Sequence, residues 1–426
     1  MLKKFGDFVN ESYTAYQAVD NVKAILDDNG FIGLREGEKW QIAPNSGYYV
    51  VRDGSSIIAF KTGKEIGDAF NIVACHTDSP CLKLKNNCVV YGDGYAKLNV
   101  ETYGGGLLYS MLDRPLKIAG RVVVKEGDVL KCVSVVSDFY VTIPSVAIHQ
   151  NRNANDGLTL NPQIDMMPVI GLGNANQPVD IVSAVSGGKQ VVDFDLYVVS
   201  ATQAYRYGVN GEFFAAPRLD DLTGVFGGIT SLINCNPVSL AVCACFDNEE
   251  VGSGTKQGAG GTFLKDVLKT LYESIGRDKI AFKKAVLNSF MASMDNAHAV
   301  HPNHAEKYDA TNKCFVNKGI VIKHHANQSY LTDCLSSAVF KQILDNAGVP
   351  HQDFFNRSDS RGGSTLGTIS NRQLSVRTVD IGLAQLAMHS FCECMGSQDI
   401  DNLTKGLKAF YQVKLESDAP DSIKIK

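Results

Sequence analysis

The sequence has no apolar run long enough to cross a membrane, no excess of basic residues and no Cys-x-x-Cys pair. Its net charge of −4 at pH 7 provides no positive field that would attract nucleic acid or anionic lipid. The first residues, Met1–Phe8, lack the apolar core of a signal peptide. We therefore expect a cytoplasmic protein that binds neither nucleic acid nor membranes.

The cysteines and glycines argue against two further kinds of site. The 11 cysteines are an odd number and many lie in apolar runs, which predicts reduced core residues rather than disulfides or a thiolate zinc site. The glycine-rich segment Gly252–Gly261 completes neither of the two nucleotide-binding glycine motifs. A nucleotide site is therefore not expected.

Length and local composition predict two regions of different type. A chain of 426 residues exceeds what a single core usually supports. Residues 1–94 and 211–426 alternate apolar runs with helical patterns, which is typical of an α/β sheet covered on both faces, whereas 95–210 consists of short β-rich pieces with Gly and Asn turns. We predict one α/β domain, 1–94 and 211–426, into which a β-rich domain, 95–210, is inserted.

Three patterns near the N-terminus predict individual elements. Apolar residues at helical spacing predict an amphipathic helix over 11–29 that ends at Gly30. The runs Tyr48–Val51 and Ile57–Phe60 flank a short turn sequence, as in a β-hairpin. The nearly unbroken apolar run Ala69–Cys75 predicts a strand buried on both faces of a sheet.

Residues of types that can bind metals follow two of the apolar runs. His76 and Asp78 come directly after the run that ends at Cys75, so that the imidazole could bind a metal while the carboxylate orients it. Glu249 and Glu250 follow another such run, and successive residues leaving a strand point to opposite sides. The two glutamates could therefore take different roles, although solvated surface charges are the commoner explanation for such a pair.

Three further residues occupy comparable positions. Asp220 precedes a helical pattern, Asp295 follows an apolar run, and His389 ends another; a helix cap, a solvated acid and a core histidine are the ordinary explanations. Ligands of open α/β sheets, however, bind beyond the carboxyl ends of the strands, where all of these residues are expected. Imidazole and carboxylate ligands without thiolate suit zinc, with cobalt or manganese also possible, and five ligands with one bridging Asp suffice for two metals.

Five strings in this sequence resemble, in the same order, those of the aspartyl aminopeptidase family of dinuclear zinc exopeptidases. They are His76-Thr-Asp-Ser-Pro, Pro217-Arg-Leu-Asp-Asp-Leu, Asp247-Asn-Glu-Glu-Val-Gly-Ser, Met294-Asp-Asn-Ala-His-Ala-Val-His-Pro-Asn and Leu386-Ala-Met-His-Ser. The resemblance implies a mixed-sheet zinc-exopeptidase domain of the α/β class with an inserted β-rich dimerisation domain. It also implies a homo-oligomer, a dodecamer with its active sites facing an inner cavity, that acts on peptide substrates.

The same resemblance implies a role for each matching residue. Asp220 would bridge two zinc ions, with His76 and Asp295 at one and Glu250 and His389 at the other. Glu249 would be the general base, and Asp78 would belong with it to the catalytic residues. The residues that would contact substrate are His149, acting on a neighbouring subunit, together with Lys323, Tyr330 and His298.

The match to the family is less close at 359–367. Eukaryotic relatives have Pro and Cys where this chain has Arg361 and Gly362, near the expected pocket. An added Arg could strengthen a preference for acidic N-terminal residues or alter it. Two alternatives also stay open: a related dinuclear zinc hydrolase, such as a carboxypeptidase or an N-acyl deacylase, and a non-catalytic assembly protein that binds zinc structurally.

Overall fold

The computed structural model describes residues 1–64, 66–176, 178–360, 362–419 and 421–426. Arg361 lies outside the described residues. Within these ranges the helices are α1 (Leu2–Glu11), α2 (Ala15–Asp28), α3 (Ile181–Ser186), α4 (Leu219–Asn234), α5 (Phe263–Ser274), α6 (Lys279–Asn288), α7 (Cys334–Asn346), α8 (Leu366–Ser370) and α9 (Asp399–Gln412). No helix in this part of the chain has the length and apolar character needed to cross a membrane.

The strands belong to a large sheet, a smaller sheet and a terminal hairpin. They are β1 (Ile32–Leu34), β2 (Gly47–Arg52), β3 (Ser56–Thr62), β4 (Phe70–His76), β5 (Cys81–Gly92), β6 (Tyr95–Tyr103), β7 (Leu116–Glu126), β8 (Val129–Val136), β9 (Val169–Leu172), β10 (Val191–Ser200), β11 (Tyr205–Tyr207), β12 (Phe213–Ala216), β13 (Leu240–Phe246), β14 (Phe290–Met294), β15 (Ala297–His298), β16 (Ile320–His324), β17 (His351–Phe355), β18 (Arg377–Leu386), β19 (Glu393–Gly396), β20 (Leu415–Ala419) and β21 (Ser422–Ile425).

The large sheet has a parallel centre covered by helices on both faces. Its order is β1-β2-β3-β13-β4-β14-β18-β19-β12-β11, with β15, β16 and β17 attached at β18. Every residue of β4, β13 and β14 is buried, as expected for central strands between two helical layers. Side chains of α4 and α9 pack on one face and those of α5 on the other. The predicted α/β class is therefore confirmed.

The smaller sheet, of order β8-β7-β10-β5-β6-β9, has a separate apolar core. It begins at Cys81 and ends at Ser200, whereas the sequence prediction placed the β-rich insertion at 95–210. The chain leaves the large sheet after His76, the last residue of β4, and Pro80, which cannot donate to a strand ladder, directly precedes the smaller sheet. It returns before β11, which pairs with β12 of the large sheet.

Near the N-terminus, the structure confirms two local predictions and corrects a third. The hairpin is present as the antiparallel pair β2 and β3, and the buried strand is β4. The helix predicted over 11–29 starts later, because the hydroxyl of Thr14 accepts from the Tyr16 N–H and caps α2. The additional helix α1 precedes it and was not predicted.

Candidate metal centre

The polar residues singled out in the sequence meet at the carboxyl ends of the central strands. His76 is the last residue of β4 and is paired in register with Phe246, the last residue of β13. Glu249 and Glu250 form a short turn just beyond β13, and Asp295 follows β14 directly. Because these parallel strands end at one edge of the sheet, their terminal side chains face a common space.

Asp220, in the first turn of α4, lies between two histidines. One carboxylate oxygen, Oδ1, is 3.5 Å from His76 Nε2, and the other, Oδ2, is 3.4 Å from His389 Nε2. The same His389 nitrogen is 3.3 Å from Glu250 Oε1. Ligand atoms of His76, Asp220 and Asp295 all lie within 4.8 Å of one another, as do those of Asp220, Glu250 and His389. Two three-residue clusters thus share Asp220.

The residues fit a cationic metal, because two buried carboxylate oxygens in the described chain have no hydrogen-bond partner. These are Asp220 Oδ1 and Glu250 Oε1. An unpaired buried carboxylate oxygen is costly unless a cation meets it. Although burial opposes it, interactions with His389 and His76 hold the pKa of Asp220 well below its usual range. Buried imidazole and carboxylate ligands without thiolate are a donor set that zinc accepts.

Asp78 connects the two strand ends behind the cluster. Its carboxylate accepts hydrogen bonds from the backbone N–H of Glu249 at 3.1 Å and of Glu250 at 3.2 Å, and from the Tyr103 hydroxyl at 2.7 Å. Its backbone carbonyl lies 3.0 Å from His76 Nδ1. When Nδ1 donates to that carbonyl, the lone pair on Nε2 is left to face Asp220. Asp78 therefore orients three of the predicted site residues.

Glu249 has the surroundings of a carboxylate that exchanges protons near neutral pH. Burial, together with the negative charges of Asp295 and Asp220, raises its pKa to about 7, although the neighbouring His76 acts in the opposite direction. A ligand atom of Glu249 lies within 4.8 Å of those of His76 and Glu250. A general base works best when its pKa is close to the operating pH.

A buried lysine stands beside Asp295. Lys323 Nζ is 3.5 Å from Asp295 Oδ1 and donates to the Asn296 carbonyl at 3.2 Å. It also lies over the Tyr330 ring, 4.9 Å from the ring centroid. Burial opposes the charge, but the nearby acidic groups, of which Asp295 has the largest effect, together outweigh burial and raise the pKa of Lys323, so the ammonium stays charged.

The other two predicted substrate contacts lie at the surface. The side chain of His298 is exposed and meets the Phe354 ring edge to face, with 6.3 Å between the centroids. His149 lies in the exposed stretch 144–150, between β8 and β9 of the smaller sheet, and belongs to neither three-residue cluster. Within a single chain the structure brings together the proposed metal ligands, Glu249 and Lys323, but not His149.

Sequence reasoning missed Glu393, at the start of β19. Its buried carboxylate accepts from the backbone N–H of His389 at 2.7 Å and from that of Asp220 at 3.0 Å. Burial and the nearby Asp220 raise its pKa to about 8. The only available signal was a charged residue inside the otherwise apolar stretch Phe391–Met395.

Comparisons with known proteins give matches over most of the chain. Residues 8–411 match the family described as aminopeptidase I zinc metalloprotease (M18). A probable M18 family aminopeptidase 2 from Clostridium acetobutylicum is 42% identical over 426 aligned residues, covering 96% of this chain and 98% of the relative. The fold is similar to the cryo-EM structure of the Ape4 and Nbr1 complex, with a TM-score of 0.92, 36% identity and coverage of 96% and 85%. It is also similar to the S. cerevisiae mApe1 dodecamer, with a TM-score of 0.83, 26% identity and 96% coverage of both chains.

Proposed function

The chain belongs to the M18 family of zinc aminopeptidases, hydrolases that act on peptide bonds, and we propose that it removes N-terminal residues with two zinc ions held around Asp220. Membership of this family favours an aminopeptidase over the carboxypeptidase, deacylase and non-catalytic alternatives. The observation that carries the dinuclear proposal is the position of Asp220, whose two oxygens face different histidines at 3.5 and 3.4 Å. His76 and Asp295 would complete one site, and Glu250 and His389 the other. Cobalt or manganese could occupy the same donor set.

In this proposal, zinc held by these residues would polarise the scissile carbonyl and lower the pKa of the attacking water. Glu249 takes the proton from the attacking water and passes it to the departing amine. Asp78 keeps Glu249 in place through the Glu249 N–H, and it fixes the His76 ring through its own carbonyl. The free α-amine of the substrate would meet the surrounding carboxylates, which limits cleavage to the first residue.

We further propose a preference for acidic N-terminal residues. Support comes from Lys323, a buried cation 3.5 Å from the proposed ligand Asp295. Its positive charge would attract a substrate carboxylate, and the adjacent Tyr330 ring limits the space around it. His298, exposed beside Phe354, could contact the same substrate residue.

We also propose that the protein is a cytoplasmic homo-oligomer, and specifically a dodecamer like the mApe1 relative. The smaller-sheet domain would mediate dimerisation. His149 lies in an exposed stretch of that domain, from which it could reach the site of a neighbouring subunit. A site completed by a second subunit would explain why one chain leaves this histidine outside the cluster.

A panel of aminoacyl substrates tests the proposed function. The zinc-loaded protein should cleave free-amine Asp and Glu substrates fastest, Leu and Lys substrates more slowly, and N-acetylated or C-terminal reporter substrates not at all. A chelator should abolish turnover and added zinc should restore it. Cleavage confined to N-blocked substrates would refute the aminopeptidase proposal, whereas faster cleavage of Leu than of Asp would refute only the acidic preference.

A further inference from the structure

Three cysteines form a cluster in the core below the proposed zinc centre. Cys75 lies on β4, and Cys243 and Cys245 lie on the neighbouring strand β13, with Cys245 paired in register to Cys75. The Sγ atoms of Cys75 and Cys245 are 3.4 Å apart, and those of Cys243 and Cys245 are 3.8 Å apart. All three sulfur atoms lie within 4.8 Å of one another. Side chains two residues apart on a strand share a face, so the three thiols converge on one point.

The cluster is enclosed by the core on the α4 side of the sheet. All three cysteines are 0% exposed and belong to the same apolar core as residues of α4 and α9. Gly228 of α4 leaves the space that Cys243 occupies, because a Cβ at Gly228 would lie 2.7 Å from its sulfur. A thiol of this kind ordinarily acts as a small apolar side chain, but three converging thiols also form a soft donor set.

The burial of the cluster restricts which metal or metalloid it could hold. A net charge in a dry core is costly, and three thiolates carry three negative charges. Zinc would leave a net charge with three thiolates, and its structural sites normally have four ligands. A trivalent thiophilic element with three ligands gives a neutral complex. Trivalent arsenic also has a lone pair that makes its three bonds pyramidal, which suits sulfur atoms that are already close together.

We propose that Cys75, Cys243 and Cys245 form a binding site for trivalent arsenic, taken up as neutral arsenous acid. Three S–H bonds and three As–O bonds break, three As–S bonds form, and three waters leave. The oxidation state of arsenic does not change, so no oxidant or reductant is needed. The complex would join β4 to β13 one residue before His76, and because it forms only in the folded chain it should stabilise the protein.

Arsenite titration of the reduced, zinc-loaded protein tests this site. We expect one arsenic per chain, a higher melting temperature, and three of the 11 thiols that react more slowly with a thiol reagent in low urea than they do in the arsenic-free protein. Uptake should be slow and should accelerate in low urea, because the buried sulfur atoms become accessible only through local opening.

Two kinds of variant separate this site from other thiols. Cys245→Ala should lower the apparent arsenite affinity at least tenfold, and Cys243→Ala provides a second variant should the first fail to fold or to bind zinc. Cys392→Ser is the matched control, since it alters a partly exposed thiol two residues from Cys394 and should bind like the wild type. The proposal is wrong if the wild type takes up no arsenic even in low urea, if Cys245→Ala keeps wild-type affinity, or if only Cys392→Ser loses it.

Discussion

Two buried carboxylates outside the proposed ligand set hold the backbone of the site. Asp78 accepts the N–H groups of Glu249 and Glu250, and Glu393 accepts those of Asp220 and His389. Side-chain position follows from backbone position, so these bonds control where the proposed ligands point. Changing residues that support metal ligands in this way typically lowers metal affinity or activity about 10–100-fold.

Glu393→Gln tests this positioning role. Glutamine has nearly the same shape but can accept only one of the two N–H bonds, which leaves a buried donor unpaired at a cost of about 1–3 kcal/mol. We expect a lower free energy of unfolding and zinc that is lost more readily to a chelator, measured by urea denaturation and by metal content. Glu126→Gln, at an exposed end of β7, should change neither quantity. Unchanged stability and zinc retention in Glu393→Gln would show that the two bonds are dispensable.

Most of the candidate residues could be found from the sequence because each follows an apolar run or opens a helical pattern. His76, Asp220 and Asp295 are of this kind. Glu393 gave no such signal, because it starts a short strand. It also accepts hydrogen bonds from the backbone of Asp220 and His389 and is not itself a proposed metal ligand. Tyr103, whose hydroxyl donates to Asp78, comes from the smaller sheet, and its approach depends on packing between distant segments.

Among the elements, β18 contacts the backbone of Asp295 closely through a glycine. A Cβ at Gly382 would lie 2.1 Å from the backbone oxygen of Asp295, so no larger residue fits without moving that segment. The strand order that creates this approach could not be predicted, since β18 pairs with β14 only through long-range contacts. The same limitation explains why the β-rich insertion was placed at 95–210 although the smaller sheet starts at Cys81.

Gly382→Ala should therefore displace Asp295 and weaken the proposed metal site. We expect a lower melting temperature, reduced zinc content and a fall in kcat of at least about tenfold, corresponding to about 1.4 kcal/mol. Gly171→Ala in β9 of the smaller sheet is the control and should change none of these quantities, because a Cβ there meets nothing within 4 Å. If both variants kept wild-type zinc and turnover, the close approach of β18 would have no part in holding Asp295.

For the whole molecule, the proposed role of His149 at a neighbouring subunit's site predicts that activity depends on assembly. His149→Ala should retain its zinc but lose most activity, because the neighbouring subunit's site lacks a substrate contact. Glu249→Gln should also retain its zinc and lose most activity, because its own site lacks the general base. Dissociated subunits of the two variants, mixed and reassembled, should regain activity, because a Glu249→Gln subunit can supply His149 to a site with an intact Glu249. Each variant reassembled alone is the control. Failure to regain activity in mixed oligomers would remove His149 from the proposed site.

The most direct test of the central proposal is the zinc content of Glu249→Gln and Glu250→Gln, measured alongside kcat on one free-amine substrate. The wild type and Glu249→Gln should each bind two zinc ions per chain, while kcat of Glu249→Gln falls at least ~100-fold because only the general base is lost. Glu250→Gln should bind about one, because a ligand next to Asp220 is lost. Near-normal turnover of fully zinc-loaded Glu249→Gln, or two tightly bound zinc ions in Glu250→Gln, would contradict the division of roles between these neighbouring carboxylates.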